Sequence, residues 1–121
     1  MKRVTGIGGI FFHAQDPAAL RAGYARHLGI EVLAWGGAAL PPSAGHTIWS
    51  INAAEDGGFA PGRASFMINY RVDDLDALLA ALRSEGCQVL DETSDSEYGK
   101  FGWVIDPEGN KVELWEPPAG Q

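Results

Sequence analysis

Few side chains in this sequence could do chemistry, and they are scattered. There are three histidines (His13, His27 and His46), one cysteine (Cys87) and 16 acidic residues, among them Glu113 in the alternating run Lys111-Val112-Glu113-Leu114-Trp115. A histidine and a carboxylate brought together can pass a proton either way, and two histidines with a carboxylate can hold a divalent cation. Local spacing supplies no such site. There is no P-loop, no G-x-S-x-G elbow and no C-x-x-C. Gly6-Ile7-Gly8-Gly9 fails as a dinucleotide fingerprint because position 11 is Phe and the segment leads into a strand. The run Asp91-Glu92-Thr93-Ser94-Asp95-Ser96-Glu97 lacks calcium-loop spacing and reads as a solvated loop. His27 falls in the last turn of a helix, where an imidazole complements the helix dipole. Cys87 follows a helix-ending glycine and reads as a buried, inert thiol. Any active constellation must therefore be assembled by the fold.

The bulk numbers narrow the partners. A net charge of −7 without a basic stripe disfavours nucleic acid and anionic membranes. One cysteine permits no internal disulfide, which fits a reducing compartment. Met1-Lys2-Arg3 ahead of apolar residues 4–12 mimics a secretion signal, but Gly6, Gly8 and Gly9 interrupt it and no cleavage site follows. No apolar stretch approaches the roughly 20 residues that span a bilayer. The expectation is a cytoplasmic chain of one domain.

The elements repeat. Residues 4–12 read as a strand; Asp16 then caps a helix with Pro17 at its first position, Leu20, Tyr24 and Leu28 on one face, and Gly29 as its stop. Strands follow at 30–35 and 46–53. The second half repeats this order: a strand at 65–72, a cap at Asp73-Asp74, a stripe of Leu75, Leu78, Leu79 and Leu82, a stop at Gly86, and a strand beginning at Val89-Leu90. Asp16 and Gly29 are offset from Asp73 and Gly86 by the same 57 positions. Strands at 101–105 and 111–116 flank Asp106-Pro107-Glu108-Gly109-Asn110, a turn in which Pro presets φ and Gly supplies a positive one. Pro117-Pro118 ends the sheet, and the polar segment 55–63 divides the halves.

On these residues a family resemblance emerges. Tyr98-Gly99-Lys100-Phe101-Gly102-Trp103, continuing through Asp106-Pro107-Glu108-Gly109-Asn110-Lys111-Val112-Glu113-Leu114, resembles the closing hairpin of vicinal-oxygen-chelate proteins, the glyoxalase/bleomycin-resistance/dioxygenase superfamily. Tyr24-Ala25-Arg26-His27-Leu28-Gly29 resembles the end of their first helix. With the repeat, the resemblance covers nearly the whole chain. It implies an α+β fold, a single domain over 1–121 in which two βαβββ modules, about 4–57 and 64–117, curl mixed sheets around a shared cleft, often within a homodimer. The superfamily includes glyoxalases, dioxygenases, epimerases, thiol transferases and metal-free bleomycin-sequestering proteins, so the fold leaves the reaction open.

In metal-using members, four side chains meet in the cleft, one from the first and one from the last strand of each module. Carried over, those positions are Gly9, Met67, the neighbourhood of Trp49, and Glu113. Only Glu113 is a ligand type, and a divalent catalytic site needs about three protein donors. No metal or other cofactor is expected; a rearranged His13/His46/Glu113 site for one divalent ion is the alternative. Strand parity gives the expected lining: Phe11 and His13 on one strand, Met67, Asn69 and Arg71 on another, and Lys111, Glu113 and Trp115 on the last, joined by Trp49, Trp103 and, at the rim, Tyr98. Such a hollow suits a small aromatic or amphipathic molecule, with Arg71 or His13 facing an anionic group. Metal-independent binding or sequestration of such a molecule is the leading expectation; the other is an enzyme, a lyase, isomerase or dioxygenase-like member, using His13 and Glu113 as acid and base or the rearranged metal site.

Overall fold

Asp16-Pro17 starts a helix as its chemistry predicts. The Asp16 carboxylate accepts from the Ala19 amide at 3.1 Å, and α1 runs over Pro17–Leu28 until Gly29, at φ 68°, stops it. The computed structural model describes residues 3, 7–41, 45–53 and 57–121. After α1 come β1 (Ile68–Arg71), α2 (Leu75–Ser84), β2 (Gln88–Ser96), β3 (Gly99–Ile105) and β4 (Lys111–Glu116). The strands form one open mixed sheet in the order β1-β4-β3-β2, with β1 parallel to β4 and the other neighbours antiparallel. The second half is thus strand, helix and three strands, an α+β arrangement.

The core lies between this sheet and the helices. Leu75, Leu79 and Leu82, spaced along one face of α2, meet Val104 of β3 and Val112 and Leu114 of β4, all 6% exposed or less. Each such burial contributes on the order of 1.5–3 kcal/mol. Tyr24 and Leu28 of α1 pack against the same cluster, so both helices cover one face. Gly102 permits the close approach of α2, because a Cβ there would stand 2.8 Å from Leu79 Cδ1. Gly102→Ala should cost about 1–3 kcal/mol by overpacking, read as a lower urea midpoint at unchanged m; an unchanged midpoint would mean that α2 has room to retreat.

The closing hairpin ties the helices down. Glu108 Oε1 accepts from Gln15 N at 2.8 Å and Glu108 Oε2 from Asp16 N at 3.3 Å, at the start of α1. Glu116 Oε1 accepts from Leu75 N at 2.9 Å, beside the local cap Asp74 of α2. These acceptors satisfy amides that a helix start leaves free.

Four expectations are corrected. Among the described residues, none of 7–12, 30–35 or 46–53 forms a strand, and positions 4–6 of the first of these segments lie outside the described residues. Strands need a partner ladder. Residues 30–35 instead use their backbone locally, with Leu33 N donating to Gly37 O at 2.8 Å and Gly36 N to Leu33 O at 2.9 Å. Gly8 and Gly9 weaken extended pairing in the first segment. Within 46–53, Ser50 Oγ donates to Asn52 Oδ1 at 2.8 Å, and Ile48, Trp49 and Ile51 are exposed. The supposed loop 91–97, by contrast, is mostly strand: β2 continues to Ser96, pairing Thr93 with Gly102 and Asp95 with Lys100 after an irregularity between Val89 and Thr93. Its polar composition belongs to an edge strand, where charges discourage further pairing. Of the dividing segment 55–63, positions 55 and 56 also lie outside the described residues.

Candidate functional site

The face of the sheet turned away from the helices carries two cross-strand rows. Register places Asn69 of β1, Glu113 of β4 and Trp103 of β3 side by side, and next to them Arg71, Trp115 and Phe101. Alternation sends Val112 and Leu114 inward and leaves Lys111, Glu113 and Trp115 half-buried on the outer face.

Each row is internally bonded. Glu113 Oε1 accepts from Asn69 Nδ2 at 2.8 Å and Oε2 from Trp103 Nε1 at 2.9 Å. In the second row the Trp115 ring stacks on Phe101, with centroids 6.1 Å apart and planes at 16°, while the Arg71 guanidinium carbon lies 5.0 Å from the Trp115 centroid. Trp115 Nε1 donates to Tyr98 O at 2.8 Å, and Arg71 Nη2 donates to Gln121 O at 2.6 Å. Lys111 Nζ lies 5.4 Å from the Trp103 centroid and donates to Gly58 O at 2.8 Å. Both indoles therefore present electron-rich faces to a cation, which is worth about 0.5–1 kcal/mol where exposed. The face offers aromatic surface, two positive groups and one carboxylate held by neutral donors.

Not every residue expected in the site joins it. Met67 precedes β1 and is half-buried, while Tyr98 is 69% exposed at the β2–β3 turn. Phe11 and Trp49 stand off the sheet at 89% and 74% exposure. His13 and His46 are exposed, and among the described residues the donor atoms of His13, His46 and Glu113 do not gather around a common point. Phe101 is the residue that sequence reading missed; its parity with Trp103 along β3 was the available signal.

The divalent ion used by part of the superfamily does not fit these residues. The positions that the resemblance assigns to that ion are Gly9, Met67, the neighbourhood of Trp49, and Glu113; of these named residues only Glu113 offers a metal donor, and both its oxygens already accept hydrogen bonds.

The profile of the glyoxalase-like domain matches residues 9–115. TnmS3, an antibiotic binding protein from Streptomyces sp. CB03234, is 23% identical and aligns over 98% of this chain and 100% of that chain, with TM-score 0.63. The oxidase ChaP-H2 is 18% identical over 89% of this chain and 90% of that chain, with TM-score 0.53. The glyoxalase family protein from Enterococcus faecalis, 22% identical, aligns over 46% of this chain and only 51% of its own length, with TM-score 0.38. No curated protein matches in sequence. The chain belongs to the glyoxalase-like domain family, within the vicinal-oxygen-chelate superfamily. At these identities the solved structures speak to fold alone. Among the described residues, no helix is long and apolar enough to cross a membrane.

Proposed function

We propose that this protein binds a small aromatic or amphipathic molecule, without a metal ion, on the outer face of its sheet. The observation that carries this reading is the pair of rows: rings and cations lie side by side, and the one carboxylate is already committed to Trp103 and Asn69. Arg71 and Lys111 favour a ligand with an acidic group. Trp103 and Trp115 supply flat apolar surface at low entropic cost. His13 adds a further polar contact at the rim.

A binding site also needs a second wall. In this reading it comes from the first module, about 4–57, with Phe11 and Trp49 turned inward. Their exposure, together with that of Ile48 and Ile51 at 74% and 80%, supports it, because so many exposed large apolar side chains suit a covered state. Closing that wall within a homodimer, in the cytoplasm, completes the proposal. Resemblance in fold to an antibiotic binding protein is consistent with sequestration as the role.

Anilinonaphthalene sulfonate, which is planar, amphipathic and anionic, is a suitable probe. Trp115→Ala should weaken its binding about tenfold, or about 1.4 kcal/mol, and Arg71→Ala should act in the same direction, both read by fluorescence titration. Chelator should leave the affinity unchanged. Equal affinity in wild type and both variants would remove the site from this face, and a loss on chelation reproduced by Glu113→Gln would replace the reading with a metal-dependent one.

A further inference from the structure

The two helices end beside each other. His27 lies in the last turn of α1, Glu85 follows the last residue of α2, and Cys87 immediately precedes β2. His27 Nδ1 is 2.7 Å from Glu85 Oε1, and the imidazole, carboxylate and thiol donor atoms all lie within 4.8 Å of one another. Among the described residues this is the only such trio. It sits on the helix side of the sheet, away from the Glu113 face. His27 and Cys87 also line a hollow of about 40 Å³ together with Leu82, Val104 and Pro107. That space admits an ion with its water, far short of the roughly 300 Å³ of a typical organic-ligand site.

We propose that His27, Glu85 and Cys87 bind one thiophilic divalent cation, zinc above all. One nitrogen, one oxygen and one sulfur donor make a borderline-soft set, and three protein ligands leave a fourth tetrahedral position to water. Bonds of about 2.0–2.3 Å place tetrahedral ligand atoms roughly 3.3–3.7 Å apart, so the Glu85 carboxylate opens slightly and the thiol swings in. Glu85, with its side chain 38% exposed, has room for this. The C-terminal carbonyls of α1 and α2 add negative partial charge at the same place; Arg26, one residue before His27, is the opposing charge. Burial first and Glu85 second push the Cys87 thiol up, so metal uptake displaces a proton from sulfur.

The full chain, free of any polyhistidine tag, stripped with chelator and kept reduced by a phosphine, is titrated with Co²⁺. One equivalent should produce tetrahedral d–d bands and a thiolate-to-cobalt charge-transfer band, all abolished by added Zn²⁺. Cys87→Ser should remove the charge-transfer band, while His27→Ala and Glu85→Gln should each weaken binding about tenfold or more. Metal-free melting curves of the three variants separate lost ligation from lost folding, and the two surface variants decide if Cys87→Ser does not fold. Glu113→Gln should leave the cobalt spectrum intact while it is assayed separately for dye binding, so this site and the cleft reading fail independently. No charge-transfer band in wild type, unchanged affinity in His27→Ala, or a spectrum lost in Glu113→Gln would each overturn the assignment.

Discussion

Leu114→Ala should lower the stability by about 2–5 kcal/mol, the range for emptying a leucine site in a packed core. Leu114 is fully buried at the centre of the sheet, opposite Tyr70 of β1 and Gly102 of β3, and belongs to the cluster shared with Leu75, Leu79 and Leu82. With β-strands fixed on both sides and α2 above, the site cannot collapse, which places the cost towards the upper part of that range. Urea unfolding followed by far-UV circular dichroism measures it. The neighbouring Trp115→Ala is the control, because its side chain points to the other face and its removal should act mainly on ligand affinity. A loss under 1 kcal/mol for Leu114→Ala would show that the interface between helices and sheet is not where the stability resides.

Asp106→Ala should cost about 2–4 kcal/mol, from several bonds of roughly 1 kcal/mol each and the donors left unpaired. Asp106 Oδ1 accepts from the amides of Glu108 and Asn110, both at 2.9 Å, and Oδ2 accepts from Tyr24 Oη at 2.8 Å and Asn110 Nδ2 at 2.9 Å. One carboxylate thus organises the β3–β4 turn and fastens α1 to it. Tyr24→Phe, which removes one of the four bonds, should cost only about 1 kcal/mol. The alkaline limb gives a second readout. Burial, then the hydrogen bond to Asp106, raises the Tyr24 phenol far above its ordinary value, and burial raises that of Tyr70. Since both native values exceed the unfolded value, this contribution is complete below pH about 10 and declines as pH climbs beyond it. Asp106→Ala should flatten that decline; an equally steep alkaline limb in the variant would disconnect Tyr24 from Asp106.

Elements whose signals are local could be read from the sequence. Asp16-Pro17 and Gly29 bound α1, Asp74 and Gly86 bracket α2, and the turn at 106–110 joins two strands, the second of which runs over the residues expected. What escaped reading depends on neighbours. The polar stretch 91–96 is extended because β3 offers it a ladder, a fact absent from its own composition. The first-half segments, equally apolar, find no ladder among the described residues and turn or stay irregular. For the site, alternation was enough to put Glu113 and Trp115 on a common face. The bonds from Asn69 and Trp103 to Glu113 required the registers of two strand pairs, which one sequence does not provide. The trio at the helix ends was hidden for the same reason, although the equal offset of the two helix-stopping glycines was a signal that these ends are equivalent.

The carboxylates borrowed by the helix starts lie far downstream of the helices they serve. Glu108 serves an amide 93 positions upstream, and Glu116 one that lies 41 upstream. A ribosome releasing this chain from its N-terminus therefore emits both helical segments before their distal acceptors exist. Until β4 emerges, the two helix starts rely on their local caps, Asp16 and Asp74, alone.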